Sequence, residues 1–122
     1  MFFKELYNEI GELLIFNVIL VCFGIIYLLF CPQKPNIIFG YRTEKAMSSI
    51  ENWKTANKYA SHSFFLFSAI SLGLTFLLYG ISKIIGVNFN RVEIVAWIIT
   101  FAVPISSIIY TEIKLRNYDH NG

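Results

Sequence analysis

Charged residues are distributed very unevenly along this chain. Its 122 residues include 10 lysines and arginines and 8 aspartates and glutamates, yet none of these falls within Leu13–Gln33, Ser63–Ser82 or Ile94–Thr111. An uncharged, mostly apolar run of about 20 residues is what one helix needs to cross about 30 Å of hydrocarbon. The sequence therefore predicts an all-α membrane protein with three transmembrane helices.

We interpret residues 1–122 as a single membrane domain with spans at about 13–31, 63–82 and 94–111. The hydrophobic fraction of 56% supports this interpretation, because a soluble domain of this size has too small a core to hide so much apolar surface. The first span is not expected to be a cleaved signal peptide, since acidic residues precede it where a signal peptide carries basic ones.

Basic residues predict the orientation of the chain across the membrane. Seven of them lie between the first two spans or in the C-terminal tail, namely Lys34, Arg42, Lys45, Lys54, Lys58, Lys114 and Arg116, against three on the other side, Lys4, Lys83 and Arg91. Cytoplasmic segments of membrane proteins carry the excess of lysine and arginine. We therefore expect a multi-pass protein of the cell membrane with its N-terminus outside and its C-terminus in the cytoplasm.

Few polar residues interrupt the spans. Asn17 and Gly24 share one face of the first span, which predicts contact with a neighbouring helix and a hydrogen bond from Asn17 across that interface. In the third span, Thr100 lies one turn before Pro104, whose missing N–H should bend the helix or free a carbonyl. We single out Asn17 and Thr100 as intramembrane polar residues. Substrate binding by Asn17 is the alternative to a packing role.

Small residues recur along the second span. Ala69, Gly73 and Gly80 are separated by four and seven residues, so they share one helical face. Small side chains let two helix backbones approach closely. We expect a partner helix to pack against this face.

The segment between the first two spans is unlike a plain connector. It opens with a Pro-x-x-Pro element that should end the first helix, and it is predicted to become helical after Thr43. Ser48 and Glu51 have the spacing of a capping box. An apolar face follows, formed by Met47, Ile50, Trp53, Ala56 and Ala60. The pattern predicts a cytoplasmic loop with an amphipathic helix at 32–62, leading into the second span.

Two interpretations of this segment remain open. In the first, Trp53 and Ile50 lie in the headgroup boundary while neighbouring lysines meet anionic lipid. In the second, residues 40–43 fold back on the helix, with Arg42 held by carbonyls or a carboxylate and Gly40 in a conformation that other residues resist. The second arrangement would close the cytoplasmic end of the bundle and present a recognition surface.

An ordered set of residue types runs through this loop and into the predicted helix. It consists of Pro35, Asn36, Gly40, Tyr41, Arg42 and Thr43, followed by Trp53 and Asn57. The order and spacing resemble the signature of the SdpI family of bacterial membrane immunity proteins, in which these residues occupy a cytoplasmic connection between two membrane helices. The resemblance covers about Pro32 to Ser61 and implies a partner-binding or structural role for the set, which we call the loop motif.

The resemblance also implies a function. Members of the family protect a bacterium against a secreted antimicrobial peptide, and signalling of the toxin to a cytoplasmic regulator is attributed to some relatives. The partners that this implies are a toxin peptide or a cytoplasmic regulator, and we further expect contact with membrane lipid and association into a homo-oligomer.

The sequence offers little for other kinds of chemistry. It contains no phosphate-binding glycine motif, and His62 and His120 lack Cys or His neighbours at metal-ligand spacing. We expect no enzymatic activity, no metal and no cofactor. A net charge of +2 spread over the loops does not indicate a nucleic-acid partner. The alternative functions are a small membrane transporter or channel subunit, for which the spans offer few polar groups beyond Asn17 and Thr100, and a membrane scaffold.

Overall fold

Three long helices make up most of the protein. The computed structural model describes residues 1–36 and 38–121, with α1 at Phe2–Leu29, α2 at Ile50–Ile85 and α3 at Glu93–Asn121. Short 3-10 helices at Ala46–Ser48 and Phe89–Arg91 lie in the two connections, and the described residues contain no β-strand. Each long helix is long and apolar enough to cross a membrane. The predicted all-α architecture with three spans is confirmed.

Local sequence explains where the helices begin and end. α1 stops at Leu29, shortly before Pro32, which has no N–H to donate. α2 begins after Ser49, whose side chain accepts a hydrogen bond from the Asn52 N–H at 2.9 Å. It ends at Gly86, whose φ of 75° lies in the left-handed region that terminates helices.

The amphipathic helix that the sequence predicted within residues 32–62, leading into the second span, is not found as an element of its own. Residues 30–36 and 38–49 lie in a loop with one short 3-10 helix, and α2 runs from Ile50 into the second span without interruption. No proline or glycine lies between Ile50 and Gly73 to break it, and its cap is Ser49 rather than the predicted Ser48. The 36 residues of α2 rise about 54 Å, so its first turns project beyond the hydrocarbon at the end that carries the loop.

The apolar face predicted for this segment is divided between two environments. Trp53 and Ala56 are fully buried, whereas Met47 and Ile50 are 48% and 56% exposed. Ala56 packs with Leu115 of α3 in a small hydrophobic cluster. The buried members of the face therefore contact protein, and the helix is not laid flat on a membrane surface.

α2 lies between α1 and α3 in an up-down-up arrangement. We call the end that carries the loop of residues 30–49 the loop end, and the end that carries the turn of residues 86–92 the turn end. At the turn end, Lys83 of α2 forms an ion pair with Glu9 of α1 at 2.7 Å. At the loop end, Leu115 of α3 packs against α2. The start of α2 therefore lies beside the ends of both other helices.

The interior of the bundle is rich in polar side chains, and its outer surface is apolar, unlike that of a soluble domain. The buried face of α2 carries small hydroxyl residues, Ser61, Ser63, Ser68, Ser71, Thr75 and Ser82, whereas its outer face carries Leu66, Ile70, Phe76, Leu77 and Ile81. Five of these six hydroxyls, all but that of Ser71, donate to a carbonyl of the preceding turn, as when the Thr75 hydroxyl donates to the Ser71 carbonyl at 2.9 Å. Lipid tails accept exposed apolar side chains but cannot bond to a hydroxyl, so this distribution suits a protein surrounded by lipid.

The backbone of α1 lies close to that of α2 at Gly24. A Cβ at this position would lie 2.9 Å from the Cα of Phe65 in α2. The small residues of the second span behave differently, because a Cβ at Gly73 or Gly80 would meet nothing within 4 Å and Ala69 is exposed. Among the described residues, the close packing predicted for that face is therefore not made, and Gly24 supplies the close contact instead.

Gly24→Leu is expected to destabilise the protein by about 1–3 kcal/mol, because the new side chain would be forced against the backbone of α2. Gly73→Leu is the matched control, since its side chain would enter the surrounding lipid and leave the packing unchanged. Unfolding of both variants in mixed micelles, followed by circular dichroism, measures the difference. Equal loss of stability in the two variants would contradict the packing of α1 on α2.

Candidate functional site

Asn57 lies at the centre of the loop end, where its side chain is fully buried. Its Oδ1 accepts hydrogen bonds from the Tyr27 hydroxyl of α1 and from the Tyr41 N–H of the loop, the latter at 2.7 Å. Its Nδ2 donates to the Trp53 carbonyl at 2.9 Å and to the Tyr41 carbonyl at 3.5 Å. One buried amide therefore ties α1 and the loop to α2, and both of its polar atoms are engaged.

The loop passes directly over Trp53 at Gly40. The φ of Gly40 is 132°, a conformation that other residues rarely adopt, and a Cβ there would lie 2.8 Å from the Trp53 ring. Trp53 is itself fully buried, and its Nε1–H donates to the Pro32 carbonyl at 3.1 Å. The indole is thus covered by the middle of the loop and bonded to its beginning. This geometry is the fold-back of residues 40–43 that the sequence left as one of two interpretations.

Asn36 shapes the beginning of the loop motif, immediately after the exposed Pro35. Its Oδ1 accepts hydrogen bonds from the N–H groups of Ile38 and Phe39 at 3.0 and 2.8 Å, a turn typical of asparagine. The Arg42 Nη2 reaches the same oxygen at 3.4 Å. The sequence interpretation has Arg42 held by carbonyls or a carboxylate; in the structure the Arg42 side chain is exposed and its acceptor is this side-chain amide carbonyl.

Glu112 of α3 holds the other side of the loop, and sequence reasoning missed it. Its Oε1 accepts hydrogen bonds from the Tyr41 hydroxyl at 2.7 Å and from the Thr43 hydroxyl at 2.5 Å. Burial, followed by the bond to Glu112, raises the pKa of the Tyr41 phenol, so the phenol stays protonated and donates at neutral pH. In the sequence, Glu112 could have been found by its position, because it is the first charged residue after the third uncharged segment.

A second polar cluster joins the three helices within the spans. Asn17 is fully buried, and its Nδ2 donates to the Leu13 carbonyl at 2.9 Å and to the Thr100 hydroxyl at 3.1 Å. Its Oδ1 accepts a hydrogen bond from Ser71 at 2.7 Å, a residue that the sequence did not single out. The hydrogen bond predicted for Asn17 across the helix interface is present. Both polar atoms of its amide are used within the chain, as a packing role requires.

The hydrogen bonds of this arrangement hold the loop in place. In residues 1–36 and 38–118, no group of three or more His, Cys, Asp or Glu side chains is placed to hold a metal ion. His62 is exposed, with its Nδ1 2.7 Å from the Lys58 carbonyl. Cys31 is half-buried, and burial raises the pKa of its thiol, which lowers its reactivity.

Comparison with known proteins supports the family resemblance that the loop motif carries. The model of the family described as the SdpI/YfhL protein family matches residues 33–111, which include the loop motif, the second span and the third. The chain belongs to this family. It is also similar to a Bacillus subtilis (strain 168) protein called "Uncharacterized protein YfhL", with 28% identity over 103 residues that cover 84% of each chain. No solved structure matches it.

The structure of this SdpI/YfhL-family protein unites most of the predicted site residues. Seven members of the loop motif form one connected unit, namely Asn36, Gly40, Tyr41, Arg42, Thr43, Trp53 and Asn57, with Pro35 at its exposed edge. Asn17 and Thr100 form the separate cluster within the spans. Glu112, Tyr27 and Ser71 complete the two sites, although sequence reasoning named none of them as site residues.

Asn57→Leu is expected to destabilise the protein, because the buried Tyr27 hydroxyl and Tyr41 N–H would each lose an acceptor, at about 1–3 kcal/mol per group. Asn52→Leu is the matched control on the same helix, since the half-buried Asn52 side chain bonds to the exposed Ser48 hydroxyl. Melting in detergent and amide hydrogen exchange at Tyr41 measure the effect. An Asn57→Leu variant as stable as Asn52→Leu would show that the buried amide does not hold the loop.

Proposed function

We propose that this protein is an SdpI-like integral membrane protein that confers immunity to, or senses, an antimicrobial peptide toxin by binding a peptide or protein partner at the loop end. The observation that carries the proposal is the connected loop motif, in which Tyr41 bonds to Asn57 of α2 and to Glu112 of α3, and Asn57 bonds in turn to Tyr27 of α1. The proposed activity is binding alone, without enzymatic chemistry or a cofactor.

The surface of the loop end supports a role in recognition. Asn57 and Glu112 fix the loop from two sides, so its conformation exists before a partner arrives and little entropy is lost on binding. Large apolar side chains nevertheless point outward from it, with Ile38 at 89% exposure and Ile50 at 56%. Exposed apolar residues on a fixed surface outside the spans are typical of protein interaction sites.

We also propose that the loop end is cytoplasmic and the N-terminus external. The loop end carries seven basic and four acidic residues, whereas the turn end carries three basic and four acidic residues. The excess of lysine and arginine favours retention of the loop end on the cytoplasmic side. In this orientation the loop motif faces a cytoplasmic regulator, or a toxin that has entered or crossed the membrane.

The immunity proposal predicts survival in a toxin challenge. A toxin-sensitive bacterium that expresses this chain is expected to tolerate a higher concentration of the cognate peptide than the same strain with an empty vector. Ile50→Ser should reduce this protection because it removes an apolar side chain from the proposed partner surface. Ile94→Ser, at a similarly exposed position near the start of α3 at the turn end, is the control and should retain it.

Both variants should reach the membrane in equal amounts, as checked by immunoblot. Unchanged killing by every candidate toxin tested would count against immunity as the function. Equal loss of protection in the two variants would show that the partner does not bind specifically at the loop end.

The orientation predicts which end an impermeant thiol reagent reaches. In a Cys22→Ser, Cys31→Ser background, Asn90→Cys should be labelled by a membrane-impermeant maleimide on intact cells, because this exposed residue lies in the external turn. Lys54→Cys, exposed at the start of α2, should be labelled only after the cells are lysed. The reverse pattern would place the loop motif outside.

A further inference from the structure

A cavity of about 350 Å³ lies under the loop at the loop end. Phe23 of α1, Phe64 of α2 and Ile108 of α3 line its walls, and loop residues 38–41 cover it. Most of the lining is apolar, and the volume falls in the range of about 300–1,000 Å³ that ligand pockets occupy. The cavity therefore has the size and character of a binding site for an apolar group.

The cavity opens between α1 and α3 toward the surrounding lipid. Two of its lining residues, Phe23 and Ile108, are 43% and 48% exposed on the outer surface of these helices. The bond from Asn17 to Thr100 and the ring contact of Phe16 with Phe101 join α1 to α3 farther toward the turn end. Beyond these contacts, toward the loop end, the cavity separates the two helices.

The cover of the cavity is held in place by aromatic contacts. The Phe39 ring packs edge-on against Tyr27 and Phe23, with centroid distances of 5.0 and 5.9 Å. An empty apolar cavity forfeits packing energy, and the apolar matter within reach of its mouth is the hydrocarbon of the bilayer. An acyl chain is therefore the occupant that the location favours.

The charge above the cavity favours an anionic headgroup. Arg42 follows directly after the lining residue Tyr41, is exposed, and donates to Asn36 at 3.4 Å. A guanidinium has five N–H donors in a planar fork that matches a phosphate, so most of its donors are available for one. The excess of basic over acidic residues at the loop end adds to this attraction.

We propose that the cavity is a lipid-binding site that takes one acyl chain of an anionic phospholipid, with Arg42 binding the headgroup phosphate. This assigns a direct binding role to Arg42, a member of the loop motif whose exposed side chain is not packed inside the bundle. The proposal goes beyond the proposed function and stands independently of it, since neither a toxin nor a regulator takes part.

The test for the acyl chain uses the full chain reconstituted in phosphatidylcholine vesicles. These contain a small fraction of phosphatidylglycerol with a photoreactive diazirine in one acyl chain. After illumination, mass spectrometry of proteolytic peptides should find the label concentrated on the segments of α1 and α3 that contain Phe23 and Ile108. Ile108→Trp should lose most of this labelling because the indole fills the mouth of the cavity.

Ile109→Trp is the matched control, because Ile109 is 55% exposed on the same helix but does not line the cavity. Melting temperatures of both tryptophan variants confirm that each is folded. Labelling that is spread evenly over the helices, or is equal in the two variants, would overturn the proposal. The occupant of the cavity would then be an apolar side chain of a protein partner or of a second copy of this chain.

The test for the headgroup compares the phosphatidylglycerol probe with a phosphatidylcholine probe that carries the same diazirine. The unmodified protein should prefer the anionic probe, and Arg42→Gln should weaken that preference by more than the about five-fold that any one basic residue at a membrane surface supplies, because it also removes the direct contact to the phosphate. Lys54→Gln removes an exposed lysine outside the cavity and should have a smaller effect. An equal effect of the two variants would overturn the assignment of Arg42 to the phosphate.

Discussion

Every polar group inside this bundle must find its partner within the chain, because the surrounding lipid supplies none. Asn57 meets this constraint by bonding at once to α1, to the loop and to its own helix. Asn17 does the same between α1, α2 and α3 nearer the turn end. Apolar contacts discriminate little between helix arrangements, because a leucine side chain has a similar free energy against lipid and against protein. These two amides therefore determine much of how the three helices are placed.

The loop owes its fixed shape to two attachments with different physical origins. On one side, Gly40 lets the backbone pass close to the Trp53 ring and brings Tyr41 to the buried amide of Asn57. On the other side, the charged side chain of Glu112 accepts hydrogen bonds from the hydroxyls of Tyr41 and Thr43. Hydrogen bonds to a charged group are stronger than those between neutral groups. Because Tyr41 takes part in both attachments, loss of either one would affect the other.

The sequence predicted the features that depend on composition and backbone chemistry. Segments without charge located the spans, and Gly40 indicated a special backbone conformation, because each follows from local properties. The continuous helix into the second span also had a local signal, the lack of proline and glycine between Ile50 and Gly73. The sequence could not predict that Arg42 is exposed, because this depends on where the loop lies relative to the helices. The close helix packing predicted at Ala69, Gly73 and Gly80 was wrong for a related reason. The spacing of small residues does not show whether their side of the helix faces another helix or lipid.

The position of the loop links the two proposals physically. Residues 38–41 cover the cavity, and Ile38 among them is also among the most exposed apolar residues of the loop end. A lipid in the cavity would stabilise the covering conformation in proportion to its occupancy, because it binds that conformation and not an open one. A partner that requires the same conformation would then bind more tightly to lipid-loaded protein, and by thermodynamic reciprocity the partner would strengthen lipid binding equally. Recognition at the loop end would in that case depend on the lipid composition of the membrane as well as on the partner.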